Sequence, residues 1–214
     1  MGEDLGKAAE AFEHLKKGVV YGIVLVLVGI LAVLVGISIA ASSQSVTPFV
    51  AALAVALALT VVPAYFMFRG FLGLGEFYGE KLYRYAAWLT LGGAVAAAVA
   101  APALGWWVVS LAEAGSRPPD LSPLRLFAWP VGVLVGGFYM RVFLKLAEDS
   151  GVDLFKVVGV VALLSGLLSP VDPGLLGLVM LILLYMAASR GEEAVYEWAY
   201  SRQKQQSGEG GSTV

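Results

Sequence analysis

Residues 18–41 read GVVYGIVLVLVGILAVLVGISIAA and contain no charged side chain. A helix rises about 1.5 Å per residue, so a segment of this length can cross the roughly 30 Å hydrocarbon core of a bilayer. It is also longer than the apolar part of a typical secretory signal, and acidic residues precede it. The segment therefore predicts a retained transmembrane helix.

The rest of the 214-residue chain has the same character. Hydrophobic residues make up 59% and charged residues 14%, and the mean hydropathy is +0.81. A soluble domain carries about 25% charged residues, so this composition does not suit an ordinary globule. The composition predicts a multi-pass protein of the cell membrane, whose first partner is the lipid bilayer.

Five further apolar segments follow the first. The last two are separated by Ser-Pro-Val-Asp-Pro-Gly at 169–174, where two prolines and a glycine must end a helix. Each of these two segments has a length of about 24 Å, so a re-entrant pair is the alternative to a spanning hairpin. The six predicted spans are 18–41, 48–68, 85–111, 125–144, 154–169 and 174–189.

The basic residues predict the topology. In the six-span arrangement, all 14 Lys and Arg residues except Arg117 and Arg125 fall on one side, which is typical of the cytoplasmic side. A five-span chain would place the basic C-terminal residues outside. The predicted fold class is therefore an all-α, polytopic bundle of six transmembrane spans, with both termini cytoplasmic.

The remaining segments are assigned around one membrane domain at 18–190. Residues 1–17 carry apolar side chains at helical spacing and predict an amphipathic cytoplasmic or interfacial helix. A helical extension of the first span is the alternative. Residues 191–206 predict a cytoplasmic helix, and the tail 207–214, rich in Gly and Ser, is predicted to be disordered.

Two of the cytoplasmic loops are related in sequence, which predicts hairpin repeats near 48–111 and 125–169. Arg190 and Glu197 keep the same spacing as an Arg and a Glu in each loop, so a third hairpin and a pseudo-threefold arrangement are a further hypothesis. At an offset of 72, Phe66, Arg69, Phe71, Leu72, Leu74, Glu76, Gly79 and Leu82 recur as Phe138, Arg141, Phe143, Leu144, Leu146, Glu148, Gly151 and Leu154.

The repeated charges are the candidate interaction or gating residues. In one interpretation they form a ring at a cytoplasmic mouth that selects a solute. In the other, which we favour, they anchor helix ends at the membrane surface and form surface ion pairs. The six residues are Arg69, Glu76, Arg141, Glu148, Arg190 and Glu197.

Enzyme chemistry has little support. There is no Cys, and His14 is the one His, so thiolate and multi-His metal sites cannot be built from one chain. We therefore expect no enzyme activity, no catalytic residue, no metal and no cofactor. The formal net charge of −2 argues against nucleic acid as a partner. The absence of Cys and Asn is typical of a hyperthermophile.

Leu-x-Lys-Gly at 15–18, Arg-Gly-Phe-x-x-Leu-Gly at 69–75 and the closing apolar hairpin resemble an archaeal family of uncharacterised multi-span membrane proteins, a domain of unknown function. The resemblance covers roughly residues 8–190. It implies an archaeal cell membrane and a single helical domain, and it transfers no functional residue.

The function expected from the sequence is that of a non-enzymatic scaffold or accessory membrane subunit. Its expected partners are other membrane subunits or further copies of the chain. The alternative is a passive channel or small-solute transporter with an Arg/Glu-lined cytoplasmic mouth. A proton-coupled carrier is disfavoured, because the spans hold no clear ionisable residue at mid-membrane depth.

Overall fold

The computed structural model describes residues 2–43, 47–113, 122–169 and 174–209. Within these ranges the chain forms α-helices and short turns and no strand, which confirms the all-α class. The helices are α1 Gly2–Ser43, α2 Thr47–Leu59, α3 Val61–Phe77, α4 Lys81–Glu113, α5 Ser122–Ser150, α6 Leu154–Leu168 and α7 Leu175–Glu209.

Five stretches of the described helices are long and apolar enough to cross a membrane, and α6 is a shorter apolar helix of about 22 Å. The second stretch joins α2 and α3, which are separated at Thr60 just before Pro63. The chain is thus a membrane protein of several apolar helices. The five stretches are Leu5–Ile39, Val50–Phe77, Lys81–Leu111, Trp129–Ser150 and Leu175–Trp198.

The helices pack in a nearly closed order. α3 and α4 form one hairpin, α5 and α6 form a second, and α7 packs against α1. α1 also packs against α3, α6 packs against α7, and a small contact between α4 and α5 completes the circle. α2 packs against α1 and α4 before it continues into α3. Six of the described helices therefore share one interior.

The two hairpins turn in the same way. Gly79 follows α3 and Gly151 follows α5, and both have a φ of 71°. Left-handed backbone costs glycine little, because it has no Cβ, and it commonly ends a helix. The glycine at each turn lets the chain reverse within three residues. These two glycines are the pair related by the 72-residue offset.

The core lies at one end of the bundle, which we call the turn end. Both glycine turns, the start of α1 and the last part of α7 meet at the turn end, since residues in or next to all four line one cavity there. The opposite half, the loop end, exposes most of the large apolar side chains. The turn end is therefore packed like a soluble domain. Its largest buried side chains are Phe12, Leu15, Phe71, Leu74, Tyr83, Phe143, Leu146 and Phe155.

Two helices run on across boundaries drawn from the sequence, and for residues 1–17 this is the alternative of a helical extension of the first span. Residues 2–17 are the first part of α1, and their apolar face is buried against protein rather than left for lipid. Residues 191–206 likewise continue α7. Residues 207–209, predicted to be disordered, are helical, and 210–214 lie outside the described residues. Around residues 17 and 190, neighbouring helices bury faces on both sides of the predicted boundary, which favours a continuous helix.

Candidate functional site at the turn end

The six predicted charged residues are all exposed at the turn end. Arg69 and Glu76 line one small cavity of about 150 Å³ between α1 and α3, together with Lys7, Glu10 and His14. Glu148 lies 4.0 Å from the Nζ atom of Lys145 on its own helix. Among the described residues, no ion pair joins two of the six. The structure therefore brings Arg69 and Glu76 to one cavity and does not join the six into a ring of ion pairs.

Aromatic side chains fill the interior at the level of these charges. The ring of Phe143 lies 6.1 Å from that of Phe71 and 6.4 Å from that of Phe155, measured between centroids. Phe155 in turn stacks on Phe12 at 6.2 Å, and Tyr139 stacks on Phe143 at 6.2 Å. Rings at these separations pack against one another and leave no room for water between them. The interior is closed there.

A polar network that the sequence did not reveal lies between the aromatic closure and the two glycine turns. The hydroxyl of Tyr83 donates to Oδ2 of Asp149 at 2.6 Å, and Lys145 Nζ donates to Oδ1 at 2.8 Å. Lys145 also lies 3.6 Å from a carboxylate oxygen of Glu80. The network joins the first turn of α4 to the last turn of α5, so it links the two hairpins. At the 72-residue offset, Tyr83 aligns with Phe155. A Tyr at a position where the other repeat has Phe was the sequence signal for this network, because a buried hydroxyl usually finds a hydrogen-bond partner.

A second polar contact joins α1 and α7. Lys16 donates a hydrogen bond to Glu192 and forms an ion pair with it, and the side chains are 22% and 20% exposed. In the hypothesis of a third hairpin, Arg190 aligns with Arg141, and Glu192 then aligns with Phe143. In the same hypothesis Leu15 aligns with Leu154, and Lys16 then aligns with Phe155. The ion pair between α1 and α7 thus lies at positions that align with the stacked rings of Phe155 and Phe143.

A larger cavity of about 490 Å³ opens at the turn end, where α1, α3, α5 and α7 meet. Its wall is mainly apolar, with Leu5, Phe77 and Trp198, and it also contains Tyr78 and the Asp149 carboxylate. Burial, and to a lesser extent the neighbouring charge of Asp149, raises the pKa of Tyr78 to about 12. The phenol is therefore neutral and able to donate a hydrogen bond at physiological pH.

The described residues hold no group of three or more Asp, Glu or His side chains that could bind a metal ion. The buried and half-buried polar groups bond to one another, Tyr83 and Lys145 with Asp149 and Lys16 with Glu192. The features of this end are thus contacts between helices, exposed charges and two open cavities.

Comparison of the chain with known protein families, with curated proteins and with solved structures finds no match.

Proposed function

We propose that this protein is a non-enzymatic scaffold or accessory membrane subunit, which acts through its helix packing and its charged turn end. The observation that carries the proposal is the aromatic closure by Phe71, Phe143, Phe155 and Phe12 at the level of the predicted charges. A rigid, filled interior with charges on the outside suits a protein that binds partners better than one that passes a solute.

The proposal includes six spans with both termini in the cytoplasm. Support comes from α6, which packs along α5 from the turn at Gly151 to Ser169, whose side chain lies beside Gly132. The indole of Trp129 donates a hydrogen bond to the carbonyl of Leu167 at 2.9 Å. Trp is enriched where a helix meets the membrane surface, so this bond suits an α6 that ends at the outer surface.

The proposal also includes three hairpins around a pseudo-threefold axis. Matching glycine turns at 79 and 151 support two of them. The packing of α7 against α1, with the ion pair between Lys16 and Glu192, supports the third. A passive channel is the weaker candidate, because Arg69, Arg141 and Arg190 are exposed and the interior beside them is filled.

The first experiment is native mass spectrometry of the particle extracted from its own membrane in mild detergent. We expect other chains in fixed stoichiometry. In the Glu76→Ala/Glu148→Ala variant we expect those chains to be lost while the helical content and the thermal unfolding midpoint stay unchanged. The matched control is Glu193→Ala, an exposed carboxylate outside the six, which should keep the particle intact.

The contradicting result is a particle that contains only this chain, together with solute flux in liposomes. Flux that changes in selectivity on Arg69→Ala or Arg141→Ala would favour a channel with a charged mouth. A particle of this chain alone without flux would also overturn the accessory-subunit proposal.

A further inference from the structure

We propose that six basic side chains at the turn end form a collar that binds the phosphate groups of anionic phospholipids in the adjoining leaflet. This inference goes beyond the proposed function, because it does not depend on any protein partner. The collar has one member on each helix of the circle: Lys17 on α1, Arg69 on α3, Arg84 on α4, Arg141 on α5, Lys156 on α6 and Arg190 on α7.

Contacts between helices place the collar in one band. A Cβ at Gly18, next to Lys17, would lie 2.9 Å from the amide nitrogen of Met67, two residues from Arg69. A Cβ at Gly159 would lie 3.4 Å from the Cα of Met140, so Lys156 and Arg141 flank one contact. Similar contacts pair Gly75 with Arg84 and Gly191 with Phe12. Phe71 and Phe143, each two residues from its arginine, are in ring contact at 6.1 Å, which sets Arg69 and Arg141 at one level. Because Gly75 is six residues from Arg69, Arg84 lies about 9 Å nearer the turn end. The six residues therefore span about two helical turns along the bundle axis, a depth that long Lys and Arg side chains can bridge.

All six side chains are exposed. Lys17 and Lys156 form ion pairs with acidic residues of their own segments, at 2.9 Å from Glu13 and 2.6 Å from Asp153. No ion pair of the four arginines occurs among the described residues. A guanidinium presents a fork of N–H donors that matches two phosphate oxygens, so exposed arginines at a membrane surface suit lipid phosphate.

Exposed aromatic residues lie one helical turn from three collar members, toward the apolar surface. Residues four apart on a helix share one face. Tyr21 lies four residues from Lys17, Tyr65 four from Arg69, and Trp88 four from Arg84. These aromatic side chains are 46%, 48% and 63% exposed, respectively. Tyr and Trp concentrate at the headgroup level of a membrane. The paired arrangement therefore places the collar beside lipid phosphates.

The acidic residues lie on the other side of the collar. Glu76 and Glu80 follow Arg69 along the chain toward the first turn, and Glu148 follows Arg141 toward the second. Glu193 follows Arg190 along α7 in the same direction. On each of these helices the acidic side chains lie nearer the turn end than the arginine, so a chain with a formal net charge of −2 still presents basic side chains on the side toward the lipid.

The test compares lipid retention by the full-length protein in nanodiscs of phosphatidylcholine and in nanodiscs that also contain phosphatidylglycerol. The released complexes are analysed by native mass spectrometry at low salt. We expect preferential retention of phosphatidylglycerol. Each basic residue near an anionic surface contributes enough for about a fivefold change in affinity. The Arg69→Gln/Arg141→Gln/Arg190→Gln variant should therefore lose most of the preference.

The matched control is Lys7→Gln/Lys81→Gln/Arg202→Gln, which removes the same charge outside the collar and should keep the preference. Circular dichroism checks that both triple variants remain helical. Equal retention of the two lipids by the wild-type protein would overturn the proposal, as would an equal loss in the two variants. Neither result bears on the mass of partner chains, so the proposed function is tested separately.

Discussion

At the residue scale, glycine sets how closely α5 and α6 approach. A Cβ at Gly136 would lie 2.7 Å from the carbonyl oxygen of Ala162 and 3.2 Å from the Cα of Leu163. A Cβ at Gly166 would collide with the carbonyl oxygen of Gly132. In a bilayer, association of helices depends on such packing, because lipid is as apolar as the helix surface. The small residues therefore determine the shape of this hairpin.

This packing predicts opposite outcomes for two neighbouring substitutions. Gly136→Ala forces the two helix backbones apart and should lower the free energy of unfolding by about 1–3 kcal/mol. Gly137→Ala is the control, since a Cβ at Gly137 meets nothing within 4 Å, and alanine favours helix. Unfolding by increasing SDS in mixed micelles measures both. Equal stability of the two variants would contradict this account of the interface.

The raised pKa of Tyr78 predicts that the protein loses stability in alkaline solution. Its pKa rises from 10.0 to about 12, chiefly through burial, so the folded state favours the neutral phenol. Its stabilising effect is complete below pH 10 and is lost as the pH rises through about 12. Between pH 9 and 12, the free energy of unfolding of Tyr78→Phe should therefore fall by about 1–2 kcal/mol less than that of the wild type. The difference is smaller than the full pKa shift implies, because the phenol is partly exposed.

Thermal unfolding in detergent at several alkaline pH values tests the Tyr78 prediction. Tyr200→Phe is the control, because Tyr200 is 72% exposed at the end of α7. A Tyr78→Phe variant with the same alkaline loss as Tyr200→Phe would show that Tyr78 is not responsible.

At the element scale, the hairpin of α3 and α4 is held to the hairpin of α5 and α6 by few contacts. The contact nearer the loop end is the hydrogen bond of 2.6 Å between Thr90 and the hydroxyl of Tyr139. The lower contact, nearer the turn end, is the hydrogen bond between Tyr83 and Asp149. α4 and α5 make little other contact. These polar bonds, together with the ring contact between Phe71 and Phe143, therefore close the circle of helices on this side.

Removing the lower bond should loosen this side first. Tyr83→Phe leaves the Oδ2 atom of Asp149 without its phenolic donor and should lower the free energy of unfolding by about 1–2 kcal/mol. Amide hydrogen exchange near residues 79–84 should become faster. Tyr85→Phe is the control, since Tyr85 is exposed. Unchanged exchange in Tyr83→Phe would show that aromatic packing alone holds the hairpins together.

At the scale of the whole molecule, the two halves of the bundle are built for different solvents. The turn end buries aromatic and aliphatic side chains among four or more helices. Toward the loop end, residues such as Leu31, Val99 and Leu134 are 61%, 68% and 72% exposed. Such a surface is stable only against lipid or another apolar partner. The bilayer therefore completes the part of the structure that helix packing does not.

The six-span topology predicts the side on which single cysteines react. The chain has no Cys, so each introduced residue can be labelled alone. Ser43→Cys and Asp172→Cys should react with a membrane-impermeant maleimide from outside. Lys81→Cys and Asp153→Cys, at exposed positions beside the two glycine turns, should react only after the membrane is opened. Residue 172 lies outside the described residues. Reaction of Asp172→Cys only from the side of Asp153→Cys would replace the spanning hairpin by a re-entrant one.

The candidate site was predictable only in part. Arg69 and Glu76 were identified from the repeat, and they do line one cavity. Asp149, the acceptor for both Tyr83 and Lys145, was missed. Its partner Tyr83 is 66 positions away, and no local pattern relates them. Lys16 and Glu192 were missed for the same reason, because their contact joins the two ends of the chain.

The sequence by itself determined that the protein is helical and membrane-embedded. These properties follow from composition and local spacing. Apolar length sets what can lie in lipid, and glycine in the loops after α3 and α5 permits tight turns. Only the tertiary structure decided which way each charge faces, that aromatic rings close the interior, and that α1 and α7 run unbroken through 2–17 and 191–209. The rotation of a helix about its axis depends on all of its neighbours together, and no single segment encodes it.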